Sequence, residues 1–269
     1  MDESEVFVVL VNLCIAFIAW AFWYWKLNSP SDIIVSPRVK GWLMAVPVIC
    51  TVLMWVLLGQ YAASDVRDSG GYMFFYVLLG VTWLTIGLMV FPYFGLNLTD
   101  DIINRRNAGA AFALAGAMIG LTFCYIGGNI GEGPGWWVVV FSAGLSTAAY
   151  FGLWFVLDYV TDIMATITIE RDRAASLRLA GYLIAAGIIL GRSVAGDWVS
   201  MEATTQEFFV LAVPALILLV IAVIIEIAAR PTVERPVPPP LLYGWLPSAA
   251  YVIVAAVLIF PQLSGLVAR

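Results

Sequence analysis

The sequence predicts an all-α, polytopic membrane protein: about eight transmembrane helices, arranged as four tandem hairpins with both termini outside. Three observations carry this. First, 62% of the 269 residues are hydrophobic, only 12% are charged, and the mean hydropathy is +0.96. A soluble domain of this size keeps a polar shell that this composition cannot supply. Second, the apolar residues fall into runs of the length needed to cross a bilayer core of about 30 Å, which takes about 20 helical residues. Third, basic residues collect in alternate loops.

The expected spans are Val6–Trp25, Gly41–Gly59, Tyr72–Phe91, Ala108–Gly128, Trp136–Leu157, Ala174–Leu190, Phe208–Ile225 and Tyr243–Phe260. Short polar, glycine- or proline-containing pieces separate them. The acidic start (Asp2, Glu3, Glu5) is unlike the basic region of a cleavable signal peptide, so the first span is expected to be retained. Pro47 and Pro214 are expected to kink their helices.

Orientation follows from the arginines and lysines. Lys26, Arg38 and Lys40 mark the first loop, Arg105 and Arg106 the third, Arg171 and Arg173 the fifth, Arg230 and Arg235 the seventh. The opposite side holds Arg67, Arg192 and Arg269 among many acids. Odd loops are therefore assigned to the cytoplasm, and the chain to the plasma (inner) membrane of a prokaryote.

Two central hairpins read as copies. Asn107-Ala-Gly-Ala-Ala with Leu114-Ala115-Gly116 matches Asp172-Arg-Ala-Ala-Ser with Leu179-Ala180-Gly181, at a constant spacing of 65. Asp101-Ile102-Ile103 resembles Asp162-Ile163-Met164 at a spacing of 61, which implies about four extra residues in one loop. Asp32-Ile33-Ile34 is a fainter third echo. The organisation expected is an N-terminal hairpin (1–71), a duplicated core (72–196, copies 72–134 and 135–196) and a C-terminal hairpin (197–269). Asn107 and Asp172 are N-cap residues by type, able to accept from orphan helix N–H groups. The small residues after them allow close helix approach. Gly116 and Gly120, with the aligned Gly181 and Ala185, are the expected packing seam.

The loop acid, the Asn-x-Ala-x-Ala element and the small-residue helix with Ala-Gly, twice over, resemble the bacterial inner-membrane family called domain of unknown function 350, from about Tyr72 to Gly196. The first copy matches well; the second has Asp172 at the Asn position and Arg173 at the first Ala position. The resemblance implies a multi-pass inner-membrane protein and no assigned activity.

Candidate functional residues cluster at the inner ends of the repeat. They are Asp100, Asp101, Asn104, Arg105, Arg106 and Asn107 in one copy, with Asp158, Asp162, Glu170, Arg171, Asp172, Arg173 and Arg178 in the other. Helix dipoles and guanidinium groups there could draw an anion or an anionic headgroup. Capping, orientation signals and interfacial ion pairs account for the same charges. Arg178, about 6 Å of helix rise beyond Ala174, is expected to snorkel to the headgroups rather than line a cavity. Glu226 and Arg230, four apart, are expected to pair.

Zero histidines remove imidazole bases, histidine metal sites and haem ligation by histidine. Cys14, Cys50 and Cys124 have no metal or redox spacing. Both lysines flank a loop, which excludes a retinal-type Schiff base within a helix. The net charge of −5 offers nothing to nucleic acid. No cofactor is expected. With no ionisable group near a span centre, proton-coupled transport is disfavoured. Ser142, Ser146, Thr147, Thr82, Thr85 and Thr122 fit either a hydroxylated pathway or interhelical bonding. Gly127–Gly135 lacks a Lys-Ser/Thr tail and reads as a tight outer turn before the anchors Trp136 and Trp137. The proline run 236–240 reads as a stiff connector. The expected role is a non-enzymatic component of a membrane assembly, contacting lipid, itself or other membrane proteins. A channel or facilitator is the alternative.

Overall fold

A computed structural model describes residues 3–28, 36–232 and 238–267. The Asp32-Ile33-Ile34 echo, Arg235 and the first part of the proline run lie outside these residues. Among the described residues eight helices are long and apolar enough to cross a membrane: α1 (Glu3–Asn28), α2 (Pro37–Tyr61), α3 (Gly70–Val90), α4 (Ala108–Gly127), α5 (Trp136–Thr161), α6 (Arg173–Ser193), α7 (Met201–Ala229) and α8 (Leu246–Val267). The chain is a multi-pass α-helical membrane protein.

Helix ends follow local chemistry. Ser36, Ser69 and Ser200 each accept a backbone N–H at the start of α2, α3 and α7. A 3₁₀ turn (Phe91–Phe94) extends α3 and ends at Gly95, whose φ of 76° is open to a residue without Cβ. Pro47 lies within α2. Pro214 instead stands in the first turn of the second half of α7, which is interrupted at Ala212 (Met201–Leu211, then Val213–Ala229). A proline lacks the N–H that a first turn leaves unused, so it starts a segment there without losing a bond. Residues 241–245 form a π-turn ahead of α8.

Burial is uneven. α4 and α6 are almost wholly enclosed, whereas α1, α2, α7 and α8 expose Phe17, Ile18, Trp55, Ile217, Ile224 and Val257 on their outer faces. The centre is the α4–α6 pair, which runs parallel. Its contacts advance in register: Gly109 meets Ser176, Gly116 meets Ala180, Gly120 meets Leu183 and Gly127 meets Gly191. A Cβ on Gly120 would overlap the Leu183 carbonyl, and one on Gly187 would overlap that of Gly120. These positions hold glycine because two backbones touch there.

Around this pair the hairpins are distributed evenly. α1 packs on α3 and α2 on α4; α7 packs on α5 and α8 on α6. Both outer hairpins enter their second helix through similar segments, Pro37-Arg-Val-Lys-Gly-Trp-Leu43 and Pro240-Leu-Leu-Tyr-Gly-Trp-Leu246, which share the Pro and the Gly-Trp-Leu. The duplication thus extends, at the level of helices, beyond the two central hairpins.

The central copies share one register throughout. The bonds Asp101 N–H to Asn97 O and Asn107 N–H to Asp101 O recur as Thr166 N–H to Asp162 O and Asp172 N–H to Thr166 O, each 65 residues on. Asn97 therefore corresponds to Asp162, and Asp101 to Thr166. The spacing of 61 inferred from Asp-Ile-Ile and Asp-Ile-Met is corrected: no four-residue insertion exists between the copies. Arg106 and Arg171, again 65 apart, both take left-handed backbone, at φ 55° and 59°. The outer loops repeat too and interlock. Gly196 N–H donates to Ile130 O at 2.9 Å, Trp198 N–H to Glu132 O at 2.8 Å, and Glu132 N–H to Asp197 Oδ1 at 2.9 Å. Gly127–Gly135 is thus one half of a two-loop clasp rather than an isolated turn. Trp137 meets Trp198 edge-on, with centroids 5.2 Å apart.

Candidate functional site: a buried ion pair above the inner rim

The inner ends of α4 and α6 are capped as their residue types require. Asn107 Oδ1 accepts from Gly109 N–H at 3.0 Å and Ala110 N–H at 3.2 Å. Its Nδ2 donates across the repeat to the Ile167 carbonyl at 2.7 Å. Asp172 Oδ1 accepts from Ala174 N–H at 2.8 Å, but Asp172 Oδ2, also buried, has no hydrogen-bond partner. An aspartate has no N–H to send across, so the bond that Asn107 makes is missing from the second copy.

The predicted rim does not converge on one mouth. In the first copy Asp101 is buried: its Oδ2 accepts from Asn97 N–H at 2.9 Å and its Oδ1 from Arg105 at 3.4 Å. Asn104 reaches Asp100 at 3.4 Å, and Arg105 and Arg106 are exposed. In the second copy Asp162 is exposed with φ 48°, and Asp158 Oδ1 accepts from Met164 N–H at 2.9 Å. Glu170, Arg171, Asp172 and Arg173 line an open cavity of about 330 Å³ with Pro231, Pro238 and Pro240. The first-copy cluster contributes nothing to that cavity.

Arg178 departs most from expectation. It is 1% exposed, and its guanidinium makes a two-pronged bond to Glu226 on α7: Nε to Oε1 at 2.6 Å and Nη2 to Oε2 at 2.7 Å. Nη1 donates to the Tyr243 carbonyl, in the π-turn before α8, at 2.6 Å. Glu226 is 4% exposed. The snorkelling expectation is therefore corrected. Depth along the helix allowed it, but α6 is enclosed on nearly every side, and no route leads the side chain to headgroups. Glu226 is likewise engaged by Arg178, 48 residues away, rather than only by the neighbour four residues on; Arg230 reaches the Thr161 carbonyl at the end of α5. One arginine thus fastens α6, α7 and the entry to α8. Its planar fork matches a carboxylate in a way a lysine cannot.

The seam also differs in part. Gly116 and Gly120 face α6, and Ala185 is buried. Gly181 instead meets Ser248 on α8, so it belongs to a second close contact. Gly127, Gly187 and Gly191, which the sequence reading missed, complete the α4–α6 contact.

The buried hydroxyls mostly serve helices. Thr85 and Thr122 bond the carbonyl one turn back, at 2.9 and 2.8 Å. Ser146 bonds the Cys124 carbonyl on α4 at 3.1 Å, and Thr147 accepts from Trp83 on α3 at 3.0 Å. Thr82 Oγ1, Tyr182 OH and Tyr251 OH are buried without hydrogen-bond partners among the described residues.

The fold and this fastening define a class: a polytopic α-helical membrane protein with a closely packed, duplicated centre. Comparison with protein-family models, curated proteins and solved structures produced no match at all.

Proposed function

We propose that the chain is a non-enzymatic structural component of a membrane assembly in a prokaryotic plasma membrane. The observation supporting this is the closure of the α4–α6 seam. Where a pathway between the two repeats would run, glycine-mediated contact brings two backbones together from Gly116 to Gly127. Four of the six hydroxyls that could have lined such a pathway (Thr85, Thr122, Ser146 and Thr147) bond helix carbonyls or a neighbouring helix instead. The exposed apolar faces of α1, α2, α7 and α8 then serve lipid or other membrane proteins. The resemblance to the domain of unknown function 350 family agrees with an inner-membrane location.

A second reading, a channel or facilitator, draws support from the open cavity that Glu170–Arg173 line with three prolines. Two measurements separate the readings. Detergent-solubilised mass with identification of co-purifying proteins is expected to return a defined complex. Liposome flux of small ions and neutral solutes is expected to stay at the lipid background. Saturable flux abolished by Arg171→Ala would overturn the assembly reading.

A further inference from the structure

Where the two outer loops interlock they enclose a small cavity of about 40 Å³. It lies on the face opposite Arg178, and both copies contribute to it: residues 128–133 from the first, Val194, Gly196 and Trp198 from the second. Tyr76, Ser142, Thr204 and the acids Asp65 and Glu132 complete its polar lining. Asn129 is 5% exposed. Its Nδ2 donates to the Tyr125 carbonyl at 2.8 Å, which settles which end of the amide is oxygen. The Oδ1 left at the cavity has no hydrogen-bond partner among the described residues. A buried acceptor left without a partner keeps its desolvation cost uncompensated, so an occupant that satisfies it is favoured. The volume exceeds the roughly 10–15 Å³ that one water requires and suits a single small particle.

Charge decides which particle. Glu132 Oε1 accepts from Ser64 N–H at 2.9 Å, and Asp65 follows Ser64 in the same short turn; both carboxylates stand exposed at the rim of the cavity. The amide oxygen, the two carboxylates and the hydroxyls of Tyr76, Ser142 and Thr204 give an all-oxygen set of side-chain ligands with no lysine or arginine among them, the donor type of hard cations. Val194 stands 65 residues after Asn129, so the second copy cannot supply a matching oxygen and the site is single.

We propose that this cavity binds one hard cation through Asn129 Oδ1 and the carboxylates of Asp65 and Glu132. Sodium and calcium share this chemistry; magnesium suits it less because it demands a near-ideal octahedron. The test is thermal unfolding of the purified full chain in choline chloride, with sodium, calcium or magnesium chloride added separately. Sodium or calcium is expected to raise Tm by about 5 °C at a hundredfold excess over Kd. Asp65→Asn, at an exposed position, is expected to keep the choline Tm and lose that rise. Asn129→Ala is expected to lose the rise from a lower starting Tm. If no cation raises Tm, or if the rise survives both substitutions, the cavity holds only an ordered water and the proposal is overturned.

Discussion

Removing the Glu226 carboxylate is the most informative single perturbation. In Glu226→Gln the side-chain shape is kept, but Arg178 loses the charge that receives two of its three hydrogen bonds, at 2.6 and 2.7 Å. Both partners are almost fully enclosed, so water cannot substitute. Breaking a buried pair by removing one partner costs about 3–5 kcal/mol. Two charge-assisted bonds at about 1.5–3 kcal/mol each give the same range. For a chain of this size the loss corresponds to a fall in Tm on the order of 10 °C. The assay is thermal or denaturant unfolding in detergent or nanodiscs, arranged as a double-mutant cycle with Arg178→Met. Replacing both members by apolar residues, Arg178→Met with Glu226→Leu, is expected to lie within about 1 kcal/mol of the parent, because the desolvation of both charges disappears together. A loss below about 1 kcal/mol for Glu226→Gln, the range of solvent-exposed pairs, would refute the enclosed geometry and restore a snorkelling arginine.

Four further outcomes follow from the same geometry. Gly187→Ala is expected to destabilise by about 1–3 kcal/mol in unfolding titrations, since its Cβ would meet the Gly120 backbone, which cannot yield as a side chain would. Gly152→Ala, which meets nothing within 4 Å on α5, is expected to stabilise by up to about 1 kcal/mol. Asp172→Asn is expected to keep the α6 cap and add an N–H donor where Oδ2 now lacks a partner, for a gain of about 0.5–1.5 kcal/mol in the same assay. Single cysteines replacing Arg105 and Arg171 are expected to label from the same side of sealed vesicles, and one at Asp68 from the other; opposite labelling of Arg105 and Arg171 would undo the parallel repeat.

Span existence was legible because it depends on length and hydropathy, properties local to each run. The inner caps were legible because Asn107 and Asp172 are followed by helix-compatible small residues, and capping is a two- to three-residue interaction. The register of the loop before each cap was not. Asp-Ile-Ile and Asp-Ile-Met look alike as strings, whereas the backbone equates Asp101 with Thr166, a pair sharing no chemistry. The place of Arg178 is not legible from depth along α6, because depth does not say which helix face is enclosed. A usable signal existed: Arg178 and Glu226 are opposite charges about one turn in from the same membrane face on different spans, and such groups tend to find one another. Aligning the copies does not reveal the part Gly187 and Gly191 play in the seam. Contact between parallel helices instead pairs Gly120 with Leu183 and Gly187, not with its aligned partner Ala185.

The same duplication creates an ambiguity that the ion pair resolves. Two outer hairpins, entered through similar Pro-to-Leu segments, dock on two inner hairpins of one design, so exchange between the halves is the natural misassembly. The position 65 residues before Arg178 is Ala113. Were α7 to pack on the first half, Glu226 would be buried with no guanidinium opposite it. Were α1 to take the place of α7, Arg178 would face a helix whose acids, Glu3 and Glu5, lie at its far end. Either error leaves an unpaired charge in an apolar interior, at a cost of about 3 kcal/mol or more. An apolar pair at the two positions would preserve stability while removing this discrimination. The Arg178→Met, Glu226→Leu chain is therefore expected to unfold like the parent. After refolding, a fraction of it should form cross-links between cysteines placed on α7 and α3, a contact that the parent, with α7 against α5, does not make; a doubly substituted chain that refolds with α7 cross-linking to α5 alone would assign register to packing shape instead.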